Sequence, residues 1–403
     1  MITIGLVGKT NVGKTTFFNA ATLLEKEVST YPFTTKQPTS GIAYTKTICV
    51  CKELGVKCNP INSKCIDGYR FIPIKILDIP GLIKGSWKGK GLGNYFISTL
   101  AQSDAIIHIV DASGSIDADG KIGKPGIGDP IQDFYDIEQE IIRWLMQIIK
   151  RNIKDIVRSY KREGRTDAGL YNILSGLKLS YQDISNILIQ NNLLYENPEN
   201  WNEEELFLLA SRIRKLKPTL IVANKMDLST SEENYNRMLD ELNEYIIIPC
   251  STEAELALRR AVKSGLIEYI PGEEKFFVKN INRLSKKQRW ALDYLTKRVL
   301  NKWLRTGVQQ ALDIVTFKLL SMNTVYPIAD EKRYTDTKGN ILPDVYLVPS
   351  GTKLKDLAEM IHTELAKGLL YGIDARTGVR LPKNYTIRDR DIIKLVSTTT
   401  RHT

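Results

Sequence analysis

Short strand-like runs recur along the chain: Ile2 to Val7, Pro73 to Leu77, Thr219 to Ala223 and Ile246 to Cys250. Their length suits strands buried on both faces of a sheet. Helical patterns alternate with them across 1–135 and 217–255, which predicts a doubly wound α/β domain. Between these halves the period changes. Ile142, Leu145, Met146, Ile149, Ile153, Ile156, Val157 and Tyr160 recur at helical spacing and predict one amphipathic helix. Arg143, Lys150, Arg151, Lys154, Arg158, Lys161 and Arg162 fill its other positions. Ser180 to Leu194 and Glu203 to Lys217 read as further helices, with Ser180 and Asp183 placed as a capping box. Residues 136–216 are expected to form a helical insertion arm that meets RNA or protein; the alternative is a packed helical lid.

A second basic helix is expected from Ser285 to Arg305, with Leu292, Leu295, Val299 and Trp303 on one face. Near the C-terminus, Val345 to Val348, a turn at Pro349-Ser350-Gly351, a helix near Lys353 to Leu365 and a strand Ile392 to Val396 suggest a small separate module. His362 lies on that helix and is expected to be structural. The domain boundaries follow: 1–135 with 217–330, the insertion 136–216, and 331–403.

Composition narrows the classes. Hydrophobic residues at 42% and charged residues at 26% describe an ordinary globular chain. No apolar run reaches membrane-spanning length. The N-terminus enters a strand-like run without a charged leader, so no signal peptide is expected. Five cysteines do not make a secreted disulfide scaffold. A cytoplasmic monomer is expected. The net charge of +11, from 57 Lys+Arg against 46 Asp+Glu, suggests a polyanionic partner, most simply RNA. No motif for DNA is present.

The chemistry lies at the ends of the strand-like runs. Gly8-Lys9-Thr10-Asn11-Val12-Gly13-Lys14-Thr15 follows the first run and precedes a helix-like Thr16-Phe17-Phe18. This G-x-x-x-x-G-K-[ST] spacing between strand and helix cradles phosphates on backbone N–H groups. Gly8, Val12, Gly13 and Thr16 belong to that cradle, Lys14 should reach the β- and γ-phosphates, and Thr15 should bind Mg²⁺. Asp78-Ile79-Pro80-Gly81 follows the second run. Its carboxylate can hold Mg²⁺ through water, and the Gly81 N–H can meet the γ-phosphate. Asn224-Lys225-Met226-Asp227 follows the third. Asp227 can accept from guanine N1–H and the N2 amine, which adenine lacks. A site built on such bonds rejects the wrong analogue by about 10⁴–10⁵-fold. Asn224 should brace the loop, and the Lys225 stem can pack on the base. Thr34 and Thr35 stand where a switch loop adds a second Mg²⁺ hydroxyl. Ser251 and Thr252 suit either a base-contacting loop or a helix cap.

Taken together, Tyr31-Pro32-Phe33-Thr34-Thr35, Asp78 to Leu82, Gly89-Lys90-Gly91-Leu92-Gly93-Asn94 and Gly128-Asp129-Pro130 with Asp133 and Asp136-Ile137-Glu138 resemble the Obg-related GTPases. The match is to the YchF, or Obg-like ATPase, subfamily. Val325 to Val396, with Asp374-Ala375-Arg376-Thr377-Gly378, resembles a TGS domain, a ubiquitin-like β-grasp module of RNA-associated proteins. The resemblance implies a P-loop fold, a ribosome- or RNA-associated role and slow hydrolysis. Leu82 replaces the water-orienting glutamine of Ras-like enzymes, as in GTPases with a hydrophobic residue there. Trp87 stands where some relatives carry histidine. Bacterial and eukaryotic members have a degenerate guanine motif and prefer ATP. The intact Asn224 to Asp227 motif, as in archaeal members, implies GTP and GDP instead. Asn11 resembles the asparagine that holds K⁺ in several P-loop GTPases, or simply stabilises the turn. The competing readings are an ATPase of the YchF kind and a binding module that nucleotide only stabilises.

One feature stands outside this scheme. Cys49, Cys51, Cys58 and Cys65 cluster in sequence. They can hold zinc, pair Cys58 with Cys65, or remain free. Their spacing lacks the paired C-x-x-C of common zinc knuckles.

Overall fold

The computed structural model describes residues 1–22, 39–79, 81 and 100–398. It divides into two compact units. The first comprises Thr3–Ile42 and Lys75–Ala311, and the second Met1–Ile2, Ala43–Ile74 and Leu312–Thr403.

In the first unit the strand-like runs form a parallel sheet. Strand β1 (Thr3–Val7) lies between the end of β4 (Tyr69–Asp78) and β5 (Ala105–Asp111); β6 (Thr219–Asn224) and β7 (Ile246–Pro249) follow. The register pairs Ile4 with Ile76 and with Ala105, and Val110 with Ala223. Every residue of β1, β5 and β6 is buried, which explains why these strands read as continuous runs instead of alternating ones. Because the strands are parallel, their C-terminal ends share one edge, and all three nucleotide motifs emerge there.

The helical insertion is packed on this sheet. Helix α3 (Pro130–Arg151) starts on Asp129, whose carboxylate accepts from the Ile131 N–H, with Pro130 in the first turn. The single amphipathic helix expected through Tyr160 is two helices. At Asn152 the backbone leaves helical geometry and its side chain donates to the Ile148 carbonyl, so α4 (Ile153–Glu163) begins a new axis. Ser180 caps the following Tyr181–Gln190 helix, accepting from the Asp183 N–H, but the expected box is incomplete: the Asp183 carboxylate accepts from the Ser180 hydroxyl instead of from the Ser180 N–H. Glu203–Lys215 closes the insertion with a full capping box on Asn202 and Glu205. One apolar cluster joins Ile141, Leu145, Ile156, Leu188 and Leu209 of these helices to Val7 and Ile106 of the sheet and to Ile79, just past the end of β4. The basic face of the expected arm therefore belongs to a layer seated on the core.

The second unit contains a five-stranded sheet ordered β11 (Tyr346–Pro349), β10 (Met322–Ile328), β14 (Asp391–Ser397), β12 (Leu369–Asp374) and β13 (Arg380–Leu381). Strands β10 and β14 are parallel and the other pairs antiparallel. A helix, Leu354–Ile361, packs Leu354, Leu357 and Ala358 against Val325 and Ile393. This is the β-grasp arrangement. The helix expected to run to Leu365 stops at His362, whose extended backbone starts a new turn and whose Nδ1 accepts from the Glu364 N–H. No described helix is long and apolar enough to cross a membrane.

Candidate nucleotide site

Helix α1 (Lys14–Thr22) begins inside the phosphate loop, so its N-terminal N–H groups face the loop's concavity. Gly8 (φ +151°) and Gly13 (φ +104°) take backbone conformations that side chains disfavour. A Cβ on Gly13 would stand 2.3 Å from Asn224 Nδ2. Asn11 is itself left-handed at φ 63°, and its Nδ2 donates to the Gly120 carbonyl at 2.9 Å. The asparagine thus braces the loop.

Lys14 is buried, and its ammonium donates to the Lys9 carbonyl at 2.6 Å. Burial pushes the Lys14 ammonium down to about 8, against the opposing pull of Asp78. Thr15 Oγ1 donates to Asp78 Oδ2 at 2.8 Å, although 63 residues separate them. Burial pushes the Asp78 carboxyl up, opposed by the Thr15 hydroxyl and Lys14. Among the described residues, Asp78 Oδ1 is buried with no hydrogen-bond partner. An orphaned carboxylate oxygen beside a hydroxyl fits a hard divalent cation, which takes oxygen ligands. Gly81 abuts the loop: a Cβ there would stand 2.7 Å from Thr10 Cα, so only glycine permits the approach. Thr34, Thr35, Leu82 and Trp87 lie outside the described residues.

The base-reading side is tied to the phosphate side by one residue. Asn224 Nδ2 donates to the Val12 carbonyl at 2.7 Å, and Asn224 Oδ1 accepts from the Thr252 N–H at 3.1 Å. Lys225, left-handed at φ 64°, directs its ammonium to Asp111 Oδ2 (3.0 Å) and Ser115 Oγ (3.1 Å). Ser251 Oγ donates to Asp227 Oδ1 at 2.8 Å. Although Ser251 precedes the Thr252–Lys263 helix, its side chain makes no capping bond. It serves the Asp227 carboxylate instead. Thr16 sits half-buried in the first turn of α1.

Sequence reasoning missed several supports. The Lys9 ammonium pairs with Asp133 of α3 at 2.6 Å, both buried, which pins the front of the loop to the insertion. Asp111 accepts from the N–H and hydroxyl of both Ser113 and Ser115 as well as from Lys225. Tyr294 OH and Trp303 Nε1 donate to the Asp227 and Met226 carbonyls. Apart from Ser113 and Ser115, which lie two and four residues beyond Asp111, these partners are far apart in the chain and no local spacing marks them.

A phosphate loop tied through Asn224 to the loop that carries Asp227 defines the class: a P-loop GTP-binding protein. The comparisons agree. The model for the 50S ribosome-binding GTPase matches residues 3–152, that for the Obg-like GTPase YGR210-like, G4 motif-containing domain residues 222–330, and the TGS domain residues 332–397. An uncharacterised GTP-binding protein of Methanocaldococcus jannaschii is 44% identical over 398 residues, 98% of this chain and 99% of that protein. The crystal structure of a GTP binding protein from Pyrococcus horikoshii OT3 matches with a TM-score of 0.76 at 35% identity, covering 99% of this chain and 100% of that chain. The ribosome-binding ATPase YchF of Bacillus subtilis is 28% identical, over 97% of this chain and 98% of that protein. The chain belongs to the YchF/Obg-like GTPase family and is a GTP-binding protein of that type.

Proposed function

We propose that the protein hydrolyses GTP to GDP and phosphate with Mg²⁺, slowly when alone, as a switch that visits the ribosome or another RNA. The observation that carries hydrolysis is the meeting of Thr15 Oγ1 and Asp78 Oδ2 beside the orphaned Asp78 Oδ1. Thr15 and Asp78, with Thr35, would hold the Mg²⁺, which offsets charge on the β- and γ-phosphate oxygens. The Lys14 ammonium leaves the Lys9 carbonyl for the phosphates. A bound polyanion would also oppose the effect of burial and favour the charged form of Lys14. The Gly81 N–H donates to the γ-phosphate. Water attacks phosphorus, the bond to the β-phosphate oxygen breaks, and that oxygen leaves on GDP. Leu82 cannot orient the attacking water, so the unassisted rate is slow. Asn11, braced on Gly120, is the residue through which K⁺ would act.

Guanine selectivity rests on Asp227, oriented by Ser251. An ATPase reading draws on the name of the Bacillus relative, but an intact Asp227 has no donor pair to receive from adenine. Initial rates with GTP and ATP decide it: a preference for GTP of at least two orders of magnitude is expected, and near-equal rates refute the assignment. The ribosomal part is supported by the net charge of +11 and the ribosome-binding relative. Sedimentation with ribosomal subunits should differ between GDP and a non-hydrolysable GTP analogue, and subunits should accelerate turnover. Association without acceleration would favour a binding module in which turnover is incidental.

A further inference from the structure

The four clustered cysteines come together in the second unit. Cys49 follows strand β2 (Thr39–Ile48), Cys51 lies in helix α2 (Val50–Leu54), Cys58 in the loop beyond it, and Cys65 in strand β3 (Lys64–Ile66). Gly55, left-handed at φ 65°, ends α2 and turns the chain back. Asp67 (φ 49°) and Gly68 (φ 77°) then form the tight hairpin that returns β3 to β4, with Ile66 opposite Tyr69. The result is that all four sulfurs lie within 4.8 Å of one another.

We infer that Cys49, Cys51, Cys58 and Cys65 form a structural zinc site of four thiolates. A tetrahedral site with zinc–sulfur bonds of 2.3 Å has sulfur–sulfur edges of about 3.8 Å. Cys51 Sγ and Cys65 Sγ stand 3.8 Å apart. A disulfide needs about 2.05 Å and gathers sulfurs in pairs. Here no disulfide joins the five cysteines of the chain, and four share one centre. Soft sulfur ligands in a tetrahedral set select zinc or iron. With four protein ligands the centre has no open position, so it serves structure and not catalysis.

The surroundings fit the charge. A zinc ion with four thiolates carries two net negative charges. Arg70, directly opposite Cys65 in the hairpin, is fully buried. Its Nη1 lies 3.6 Å from Cys58 Sγ and its Nη2 donates to the Leu342 carbonyl at 2.5 Å. Asp344 is within Coulombic range, but no described carboxylate pairs with Arg70 at ion-pair distance. A buried guanidinium is costly beside neutral thiols and well placed beside a dianionic centre. Apolar residues of the same unit, among them Val50, Ile72, Ile328, Leu342 and Ile392, pack around the buried Cys49 and Cys51, while Cys58 and Cys65 are half-buried.

The test uses the full-length, tag-free protein purified without chelators. Elemental analysis should find one zinc per chain. A mercurial thiol reagent should release it as the four thiols react. Cobalt exchange should produce intense near-ultraviolet thiolate charge transfer and the red d–d bands of a tetrahedral site. Cys58→Ser and Cys65→Ser should lose the zinc and the cobalt signature, whereas Cys250→Ala, outside the cluster, should keep both. Only trace metal after reconstitution with zinc under reducing conditions, a disulfide found by mass spectrometry, or stoichiometric iron would overturn the assignment. If the serine variants do not fold, the elemental analysis and cobalt spectrum of the unsubstituted protein still decide it. None of these readouts depends on nucleotide, so the outcome is separate from that of the proposed hydrolysis.

Discussion

The phosphate loop and the cysteine cluster are both built by bending backbone through left-handed residues, yet they are held in different ways. The loop is fixed by protein groups alone: Asn224 to Val12, Asn11 to Gly120, Lys14 to Lys9 and Lys9 to Asp133. Buried bonds of this kind order a site before its ligand arrives. The described polar contacts of the cysteine sulfurs are with one another, the Arg70 guanidinium, the Cys51 backbone and the Tyr326 hydroxyl. Thiols are weak hydrogen-bond partners, so such a centre gains rigidity chiefly from what binds the sulfurs. A preorganised site keeps its shape when its ligand leaves; a ligand-organised one does not.

Removing the metal should therefore give the largest effect. Structural zinc contributes about 10–16 kcal/mol in small zinc-finger peptides. Chelation under mild denaturant should raise hydrogen exchange across residues 43–74 by orders of magnitude. Unchanged exchange there would break the contrast. Withdrawing nucleotide, by comparison, should leave the Thr252 N–H, which donates to the bracing Asn224 side chain, protected.

Next in size is Asp227→Asn, which puts an amide donor where guanine needs an acceptor. GTP affinity should fall by about 10²–10⁴-fold, with xanthosine triphosphate, which has a carbonyl at C2, regaining much of the loss. Titration with a fluorescent analogue of each nucleotide measures it. Equal losses for both would show that the substitution only unfolds the loop.

Asn224→Ala should cost about 2–4 kcal/mol of stability, because the Val12 carbonyl and Thr252 N–H lose their buried partner. Chemical denaturation of the nucleotide-free protein reads this out. A change below about 0.5 kcal/mol would mean the brace is redundant.

Asn11→Ala should have the smallest effect, a several-fold slowing of GTP turnover in KCl and little change in NaCl. Equal rates for the unsubstituted protein in the two salts would remove K⁺ from the account.

The legibility of these sites in the sequence follows from how they are built. The phosphate loop is contiguous, so its spacing alone places Gly8 to Thr15 between β1 and α1. Asp78 and Asp227 are legible because parallel strands deliver their C-terminal ends to one edge. Lys9 with Asp133, 124 residues apart, and Asn11 with Gly120, 109 apart, are tertiary contacts with no local signature. The break at Asn152 escapes notice because the apolar period continues through it while the helix axis changes. His362 misleads for a similar reason: its neighbours are good helix formers, yet it caps a new turn. At the cysteines, pairwise spacing suggested little, since the ligands come from a strand end, a helix, a loop and a hairpin. Only the folded hairpin at Asp67-Gly68 brings Cys65 to the others.

Asn224 carries a consequence for how nucleotide preference can change over evolutionary time. The same amide that belongs to the guanine signature also supports the floor of the phosphate loop from beneath Gly13. A lineage that abandons guanine by altering Asp227 alone keeps that support and changes only its choice of base. One that also replaces Asn224 must find a new donor for the Val12 carbonyl, or accept a looser grip on every triphosphate.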